Sequence, residues 1–195
     1  ADIQRYTSLL VPPEMMGEHV GDSPAHSTHR ATSQEMRMAM AFFGHMGVEW
    51  NLLKQPQEDI DKLHEWVSEF KKHREWFAVD TVVHSDAADP AVRVDGCVMP
   101  NKDAAIYRFT QLTTSQTYPA APVRLPGLDP DAVYEVSPLE VSLDLAKQDI
   151  GNGQSPLGWW TAEGVRMTGR ALASYGIRPP ALHPAQAVLF KVVRV

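Results

Sequence analysis

Residues 57–77 read QEDIDKLHEWVSEFKKHREWF, and this stretch carries the clearest helical pattern in the sequence. It begins directly after Pro56. Acidic residues cluster at its start and basic residues near its end, which complements the dipole of a helix. The stretch therefore predicts one long amphipathic helix. Its apolar and aromatic side, at helical spacing, comprises Ile60, Leu63, Trp66, Val67, Phe70, His73 and Phe77.

Upstream of this helix, strand-like and helix-like segments alternate. Tyr6–Val11 is a short, largely apolar run that ends at two prolines, which predicts a fully buried strand. A polar loop is expected from Glu14 to about Thr32. Thr32 or Ser33 can cap a second helix, which Gly44 and Gly47 would close. Val48–Leu53 predicts another short buried strand, so the expected order is strand–helix–strand–helix.

Downstream of about residue 78 the pattern changes to short strands separated by turn formers, among them Gly151-Asn152-Gly153. Short strands punctuated in this way are typical of an antiparallel β-sandwich. The strands are expected at Thr81–Val83, Val92–Val94, Ala104–Leu112, Val123–Leu125, Val133–Val136, Glu140–Leu145 and Ala187–Val195.

The first of these two regions cannot form a complete fold by itself. One strand–helix–strand–helix stretch leaves the faces of its strands uncovered, whereas a (β/α)8 barrel requires eight such units and about 250 residues. We therefore interpret the chain as an α+β fragment. Residues 1–77 are expected to be the last strand–helix units of a (β/α)8 barrel, and residues 78–195 a C-terminal antiparallel β-sandwich.

Composition excludes several classes of protein. The chain has 195 residues, of which 44% are hydrophobic and 22% charged, and this is ordinary globular composition. Its net charge of −6 argues against nucleic acid as a partner. No apolar run approaches the roughly 20 residues needed to cross a membrane. A single cysteine, Cys97, excludes an internal disulfide and fits a reducing compartment, so we expect a cytoplasmic protein and a buried, structural thiol.

The segment PPEMMGEHVGDSPAHSTHRATSQEMRMAMAFFGHMGVEWNL, residues 12–52, resembles the glycoside hydrolase family that contains bacterial α-galactosidases and raffinose synthases. Two blocks carry the resemblance, Met16–Val20 and Phe43–Trp50. Further on, Leu125–Tyr134 and Gly169–Leu172 are similar to the C-terminal domains of such hydrolases. The sequence departs from the family pattern at Glu18, where a small residue is usual, and at Asn51, where aspartate is common.

The resemblance implies a (β/α)8 barrel followed by an antiparallel β-sandwich, in agreement with the pattern above. It also implies that both catalytic groups are aspartates on earlier barrel strands, so no residue of this chain receives a catalytic role. Retaining glycoside hydrolysis requires two carboxyl groups, roughly 5–5.5 Å apart and in opposite protonation states. We therefore expect an inactive fragment of a retaining α-galactosidase that hydrolyses terminal α-galactosides in oligosaccharides. Hydrolysis of α-N-acetylgalactosaminides and galactosyl transfer remain open.

The loop Glu14–Arg30 holds the candidate substrate-binding residues, because active sites of barrels lie on the loops that follow the strands. Within the intact enzyme, Gly17 and His19 are expected to line the sugar pocket, with Asp22 as an outer hydrogen-bond partner. The alternative is that His19 only ties the loop together.

Metal and carboxylate chemistry are the other interpretations of this loop. His19, His26 and His29 suggest a metal site, but zinc sites recruit three or four ligands with supporting residues, so we expect no metal and no cofactor. Glu14, Glu18 and Asp22 are interpreted as acidic residues of a polar loop rather than as a general acid–base pair.

The β-domain suggests two further hypotheses. The adjacent Trp159 and Trp160 would stack on sugars in a stand-alone carbohydrate-binding module if they were exposed, or pack in a core if buried. The domain would otherwise be structural, with or without sugar contact. The partner expected first is the remainder of the barrel, since the fragment should expose the apolar surface that those units cover; self-association into a homo-oligomer follows from the same surface.

Overall fold

The computed structural model describes residues 1–87, 89–117, 120–146 and 157–195. The chain divides into two compact units, Ala1–Val79 and Asp80–Val195. Among the described residues, none of the helices combines the length and the apolar character required to cross a membrane. The turn expected at Gly151-Asn152-Gly153 lies outside the described residues.

The first unit contains a parallel pair of strands joined by a helix. Its helices are α1 (Asp2–Thr7), α2 (Gln34–Met40) and α3 (Gln57–Phe77), and its strands are β1 (Gly17–Gly21) and β2 (His45–Glu49). Short 3₁₀ turns lie at Pro13–Met15, Ala41–Phe43 and Leu52–Lys54. The order β1–α2–β2–α3 confirms the expected alternation, and β1 and β2 pair in parallel, as in a barrel.

The strand predicted at Tyr6–Val11 is wrong. This run ends α1 and continues as turns, in which the Leu10 and Val11 N–H groups both donate to the Thr7 carbonyl. A short apolar run does not by itself distinguish strand from helix, and here the backbone finds its hydrogen bonds locally. The first strand lies instead at Gly17–Gly21, inside the segment predicted to be a polar loop.

The two larger helices agree with the sequence pattern. The Ser33 side chain caps α2 by accepting a hydrogen bond from the Met36 N–H at 3.1 Å, as predicted. Helix α3 spans residues 57–77 as predicted. Phe42 lies at the centre of the core of this unit, with ring centroids 6.2 Å from Trp66 and 5.6 Å from Phe77. The strand predicted at Val48–Leu53 is displaced, because β2 ends at Glu49 and a 3₁₀ turn follows.

The second unit is built on a six-stranded antiparallel sheet in the order β3-β4-β5-β8-β6-β7. The expected antiparallel β-domain is thereby confirmed. The elements in chain order are β3 (Thr81–Ser85), β4 (Val92–Val98), β5 (Ala104–Gln111), β6 (Val133–Pro138), α4 (Glu140–Leu143), β7 (Val165–Thr168), α5 (Gly169–Ser174) and β8 (Gln186–Arg194).

Three segments of this unit differ from the predicted strands. Glu140–Leu143 is a helical turn, and its Ser142 hydroxyl accepts a hydrogen bond from the Leu189 N–H of β8. Val123 makes only an isolated bridge to Ile177. The strand at Val165–Thr168 was not predicted, since it is short and not markedly apolar. Each difference concerns a short edge or connecting segment, where tertiary contacts outweigh the local pattern.

One face of the sheet carries the core of the second unit. Alternate residues of β4, β5 and β8, such as Val94, Tyr107 and Phe190, are buried in one apolar cluster. Gly96 lies opposite Tyr107, and a Cβ at this glycine would approach the Tyr107 ring to 2.4 Å. The absence of a side chain at Gly96 therefore makes room for the largest residue on the neighbouring strand. Cys97 is a free, buried thiol, as predicted.

Candidate functional site

The exposed face of the β1–β2 pair carries two of the sequence-predicted residues, Gly17 at the start of β1 and His19 in its middle, and Asp22 follows its carboxyl end. The parallel register pairs Gly17 with His45, His19 with Gly47, and Gly21 with Glu49, so these side chains share one face. On β1 this face is the exposed one, whereas the intervening Glu18 and Val20 are buried. The exposed face of the pair therefore carries Gly17 and His19, and Asp22 follows at its carboxyl end.

The imidazole of His19 packs against two glycines, Gly17 of β1 and Gly47 of β2, which we call the glycine seat. A Cβ at Gly47 would be only 2.6 Å from the His19 Cδ2 atom, and a Cβ at Gly17 would be 3.8 Å from its Nε2 atom. The Glu49 carboxylate lies 3.6 Å from His19 Nδ1. The Glu49 side chain is largely exposed and the His19 side chain is half exposed. The bare strand backbone thus sets the place of the ring, and Glu49 supplies a charge on one side of it.

Asp22 begins a loop whose base is closed by hydrogen bonds. Its Oδ1 atom accepts a hydrogen bond from the Ser23 N–H at 2.9 Å. The Ser23 hydroxyl in turn donates to the Thr32 carbonyl and accepts from the Thr32 N–H, both at 3.1 Å. These contacts hold the two ends of the loop together, so that Asp22 stays at the end of β1.

Sequence reasoning missed Arg37, which joins the ends of the two strands. Its Nη1 atom donates to the Gly21 carbonyl at the end of β1. Its guanidinium also lies over the ring of Trp50, 4.8 Å from the centroid, directly after β2. Burial lowers the pKa of Arg37, while the charges of Asp22, Asp59 and Glu35 act in the opposite direction. The available signal was a single arginine in the last turn of a short helix, which by itself identifies no site.

The other acids of the loop do not join this site. Glu14 is exposed in the 3₁₀ turn before β1. Glu18 points to the opposite, buried face, where a Cβ at Gly44 would be 2.8 Å from its Cγ atom. Glu14, Glu18 and Asp22 therefore form no carboxylate pair on one surface. Within the described parts of the chain, no group of three or more histidine, cysteine, aspartate and glutamate side chains is placed to hold a metal ion.

The tryptophan pair of the second unit is buried. The rings of Trp159 and Trp160 lie 5.0 Å apart and both make edge contacts with Phe190. Their indole N–H groups donate to the carbonyls of Arg178 and Leu143. Of the two expectations for this pair, packing is the one that the structure bears out, because a platform for sugar stacking needs an open ring face.

Two family models match this chain. The model described as "Melibiase" matches residues 1–80, and the model described as "Glycosyl hydrolase family 36 C-terminal domain" matches residues 93–192. The two matches follow one another along the chain, and the second spans about half of it.

Curated relatives and solved structures agree with these models. An alpha-galactosidase of Escherichia coli is 28% identical over 192 residues, which cover 98% of this chain and 27% of the relative. Alpha-galactosidase Mel36A of Lactobacillus acidophilus is 32% identical over 133 residues, which cover 68% of this chain and 18% of the relative. The chain thus spans about a quarter or less of the length of these relatives.

Among solved structures, the galactosidase domain of the alpha-galactosidase-sucrose kinase AgaSK superposes with a TM-score of 0.80 at 27% identity, over 99% of this chain and 24% of that one. The alpha-galactosidase AgaA of Geobacillus stearothermophilus, in a variant bound to raffinose, also gives a TM-score of 0.80, over 99% of this chain and 24% of that one. Its 21% identity shows the shared fold alone.

Proposed function

This chain belongs to glycosyl hydrolase family 36, of which it carries the C-terminal part, and on that premise we propose that the whole protein is a retaining α-galactosidase. Its substrates would be oligosaccharides that end in an α-linked galactose. The order of the two family matches and the relatives named alpha-galactosidase support this activity. The protein would act in the cytoplasm, in keeping with its single, buried cysteine.

The observation that carries the proposal is the parallel β1–α2–β2 unit with polar side chains at its carboxyl ends. In (β/α)8 enzymes, substrates bind at this end of the strands. A two-stranded parallel sheet cannot close a barrel, so residues 1–77 would complete one formed mainly by another part of the protein. Highly exposed apolar side chains in this unit, at Ile3, Leu9, Leu10, Met15 and Leu53, support an interface with that remainder.

Within this arrangement, the chain would contribute sugar binding and no catalytic group. The carboxylate of Glu49 beside Nδ1 favours a proton on that nitrogen, which leaves Nε2 of His19 to accept a hydrogen bond from a sugar hydroxyl. The Asp22 carboxylate would accept a hydrogen bond from a second sugar hydroxyl. Gly17 has no side chain, so the sugar can approach the strand closely. The nucleophile and the general acid would both come from the remainder of the barrel.

The second unit would be structural. Its apolar core lies within residues 80–195, and both tryptophans are buried in that core. It would stabilise the barrel and could take part in a homo-oligomer. No exposed aromatic row among the described residues of this unit supports the alternative of a carbohydrate-binding module.

The experiment is release of nitrophenol from a nitrophenyl α-galactoside by this chain alone and by a longer protein, in which the same chain is extended upstream until the barrel is complete. We expect turnover only from the longer protein. Turnover by the short chain would overturn the assignment of both catalytic carboxylates to the remainder.

The role of His19 is tested in the longer protein by His19→Ala. We expect the KM for the nitrophenyl α-galactoside to rise about tenfold, because one hydrogen bond to the sugar is lost. His64→Ala is the control, since His64 is an exposed histidine of α3, away from the β1–β2 surface. Equal effects of the two substitutions would contradict a specific contact at His19.

A further inference from the structure

We propose that Arg37 is a positioning residue, which ties the carboxyl end of β1 to that of β2 and so fixes the place of His19 and Asp22. This inference rests on the proposed function, because it concerns the same sugar-binding surface. Arg37 does not itself need to contact the sugar.

The geometry of Arg37 joins three segments through one planar group. Its side chain comes from the last turn of α2, and its Nε atom also contacts the Ser33 carbonyl at 3.4 Å. Nη1 donates to the carbonyl of Gly21, the last residue of β1. The guanidinium carbon lies over the ring of Trp50, the first residue after β2, 4.8 Å from its centroid. Donation in the plane and stacking on its face can be made together by a guanidinium but not by an ammonium group.

Charge adds to this geometry. Arg37 is partly buried, and the carboxylates of Asp22, Asp59 and Glu35 all favour its charged form. Asp22 follows Gly21 directly, so the guanidinium that binds the carbonyl at the end of β1 also attracts the carboxylate after it. Loss of the guanidinium would release the start of the loop and remove the positive charge that attracts the Asp22 carboxylate.

Several features indicate positioning rather than catalysis. Arg37 lies on α2, whereas His19 and Glu49 lie on the exposed face of the strands. One face of its guanidinium is covered by Trp50, and Nη1 and Nε have backbone partners. A group that orders binding residues affects the ground state and the transition state alike, so its loss should appear mainly in KM.

The test uses the longer protein with the nitrophenyl α-galactoside. We expect Arg37→Gln to raise KM about tenfold while kcat stays within about twofold. Arg37→Lys should recover only part of the loss, because lysine can donate to the Gly21 carbonyl without stacking on Trp50. Arg74→Gln, which removes an exposed arginine from α3, is the control and should leave both constants unchanged.

Substitutions of Trp50 provide a second, independent test of the proposal. Trp50→Leu should raise KM as Arg37→Gln does, Trp50→Phe should retain most of the affinity, and the double variant Arg37→Gln/Trp50→Leu should be little worse than either single one. Strict additivity, or an unchanged KM in Arg37→Gln, would overturn the proposal. If Arg37→Gln does not fold, the comparisons of Arg37→Lys and Trp50→Phe with the wild-type protein decide by the same criteria.

Hydrogen exchange separates this inference from the proposed function. Amides of residues 22–32 should exchange faster in Arg37→Gln than in the wild-type protein, and Arg74→Gln should not change them. Absence of turnover in the wild-type protein would contradict the α-galactosidase assignment, and the exchange rates would then decide the role of Arg37. Equal exchange in all three proteins would overturn it.

Discussion

The two units of this chain differ in how completely each covers its own apolar side chains. In residues 80–195, Phe190 is 1% exposed and lies within one continuous apolar cluster. In residues 1–79, Ile3, Leu10 and Leu53 are 84%, 87% and 99% exposed. A unit that closes its own core can act as a stable support. A unit that leaves such surface open is suited to join a larger structure, and it is the one that carries the candidate site.

Backbone pairing shows the same contrast. In the second unit, four of the six strands have a neighbour on both sides. In the first unit, β1 and β2 pair only with each other among the described residues, so each has one open edge. Open edges of a parallel pair are rare in complete proteins because such sheets are normally covered and extended. The two regions are joined in one chain, yet only the second unit pairs most of its strands on both sides.

The largest effect is expected from truncating a buried side chain in the closed unit. Phe190 contacts the rings of Tyr107, Trp159 and Trp160. Phe190→Ala should lower the free energy of unfolding by about 3–5 kcal/mol, since it leaves a cavity. Leu10→Ala, in the open unit, should change it by less than about 0.5 kcal/mol. Urea denaturation followed by tryptophan fluorescence measures both changes. Similar losses for the two variants would contradict the difference in burial between the two units.

A buried carboxylate of the open unit should contribute the next largest effect. Glu69 on α3 accepts hydrogen bonds from His73 at 3.0 Å and Lys72 at 2.6 Å, and the bond with His73, followed by that with Lys72, lowers the pKa of Glu69 to about 2. A lowered pKa stabilises the folded state above the ordinary value near 4.5, and this contribution is lost as the pH falls toward 2.

Glu69→Gln should therefore cost about 1–3 kcal/mol at neutral pH, and the difference from the wild-type protein should shrink below pH 4.5. Thermal unfolding at several pH values measures this change. Glu65→Gln, an exposed glutamate of the same helix, is the control. A difference that stays constant down to pH 2 would contradict the assignment.

Asp80, the first residue of the closed unit, should show the opposite pH dependence. Burial raises its pKa to about 7, and neither carboxylate oxygen has a hydrogen-bond partner among the described residues. A raised pKa favours the protonated form in the folded state. Stability is therefore greatest below the ordinary pKa near 4 and is lost as the pH rises through 7.

Asp80→Asn removes this charge and should stabilise the protein at pH 8 by about 1 kcal/mol, a value reduced for the partial exposure of the group. The unfolding temperatures of variant and wild-type protein should converge below about pH 4. Asp86→Asn, at an exposed site nearby, should show no such trend. Parallel curves for the Asp80 variant and the wild-type protein would show that Asp80 titrates normally.

The smallest effect on stability is expected at the glycine seat of His19. In Gly47→Ala the new methyl group would meet the His19 ring, but the ring is half exposed and can swing aside. The free energy of unfolding should change by less than about 0.5 kcal/mol, whereas KM for the nitrophenyl α-galactoside should rise several-fold in the longer protein. Gly158→Ala is the control, because a Cβ there also meets nothing within 4 Å and Gly158 belongs to the second unit. An unchanged KM in Gly47→Ala would show that the position of the His19 ring does not affect sugar binding.

Much of the fold could be predicted because several elements are specified locally. Helix α3 has a full amphipathic period and a favourable charge arrangement, and Ser33 caps α2 as expected. The central strands of the closed unit carry alternating or continuous apolar residues. Strand β1 was missed because Gly17–Gly21 contains two glycines and a buried glutamate, so its strand character comes from pairing with β2.

The candidate site was predicted only in part. His19 and Asp22 were predicted as residues of a loop after a barrel strand, but His19 lies in β1 itself and only Asp22 follows a strand. Glu49, Arg37 and Trp50 could not, since each lies more than ten residues away and reaches the site only through the parallel register and the direction of α2. Their spacing along the chain forms no repeat or motif that would predict that they lie close together.

By itself, the sequence determined the family, the long helix and the change from an α/β to an all-β pattern, because these depend on residue identity and local periodicity. Only the tertiary structure decided which face of β1 is open, that the glycines seat the His19 ring, and that Trp159 and Trp160 are buried. The physical reason is that side-chain exposure and charge contact depend on which strands and helices meet, and those meetings join residues distant along the chain.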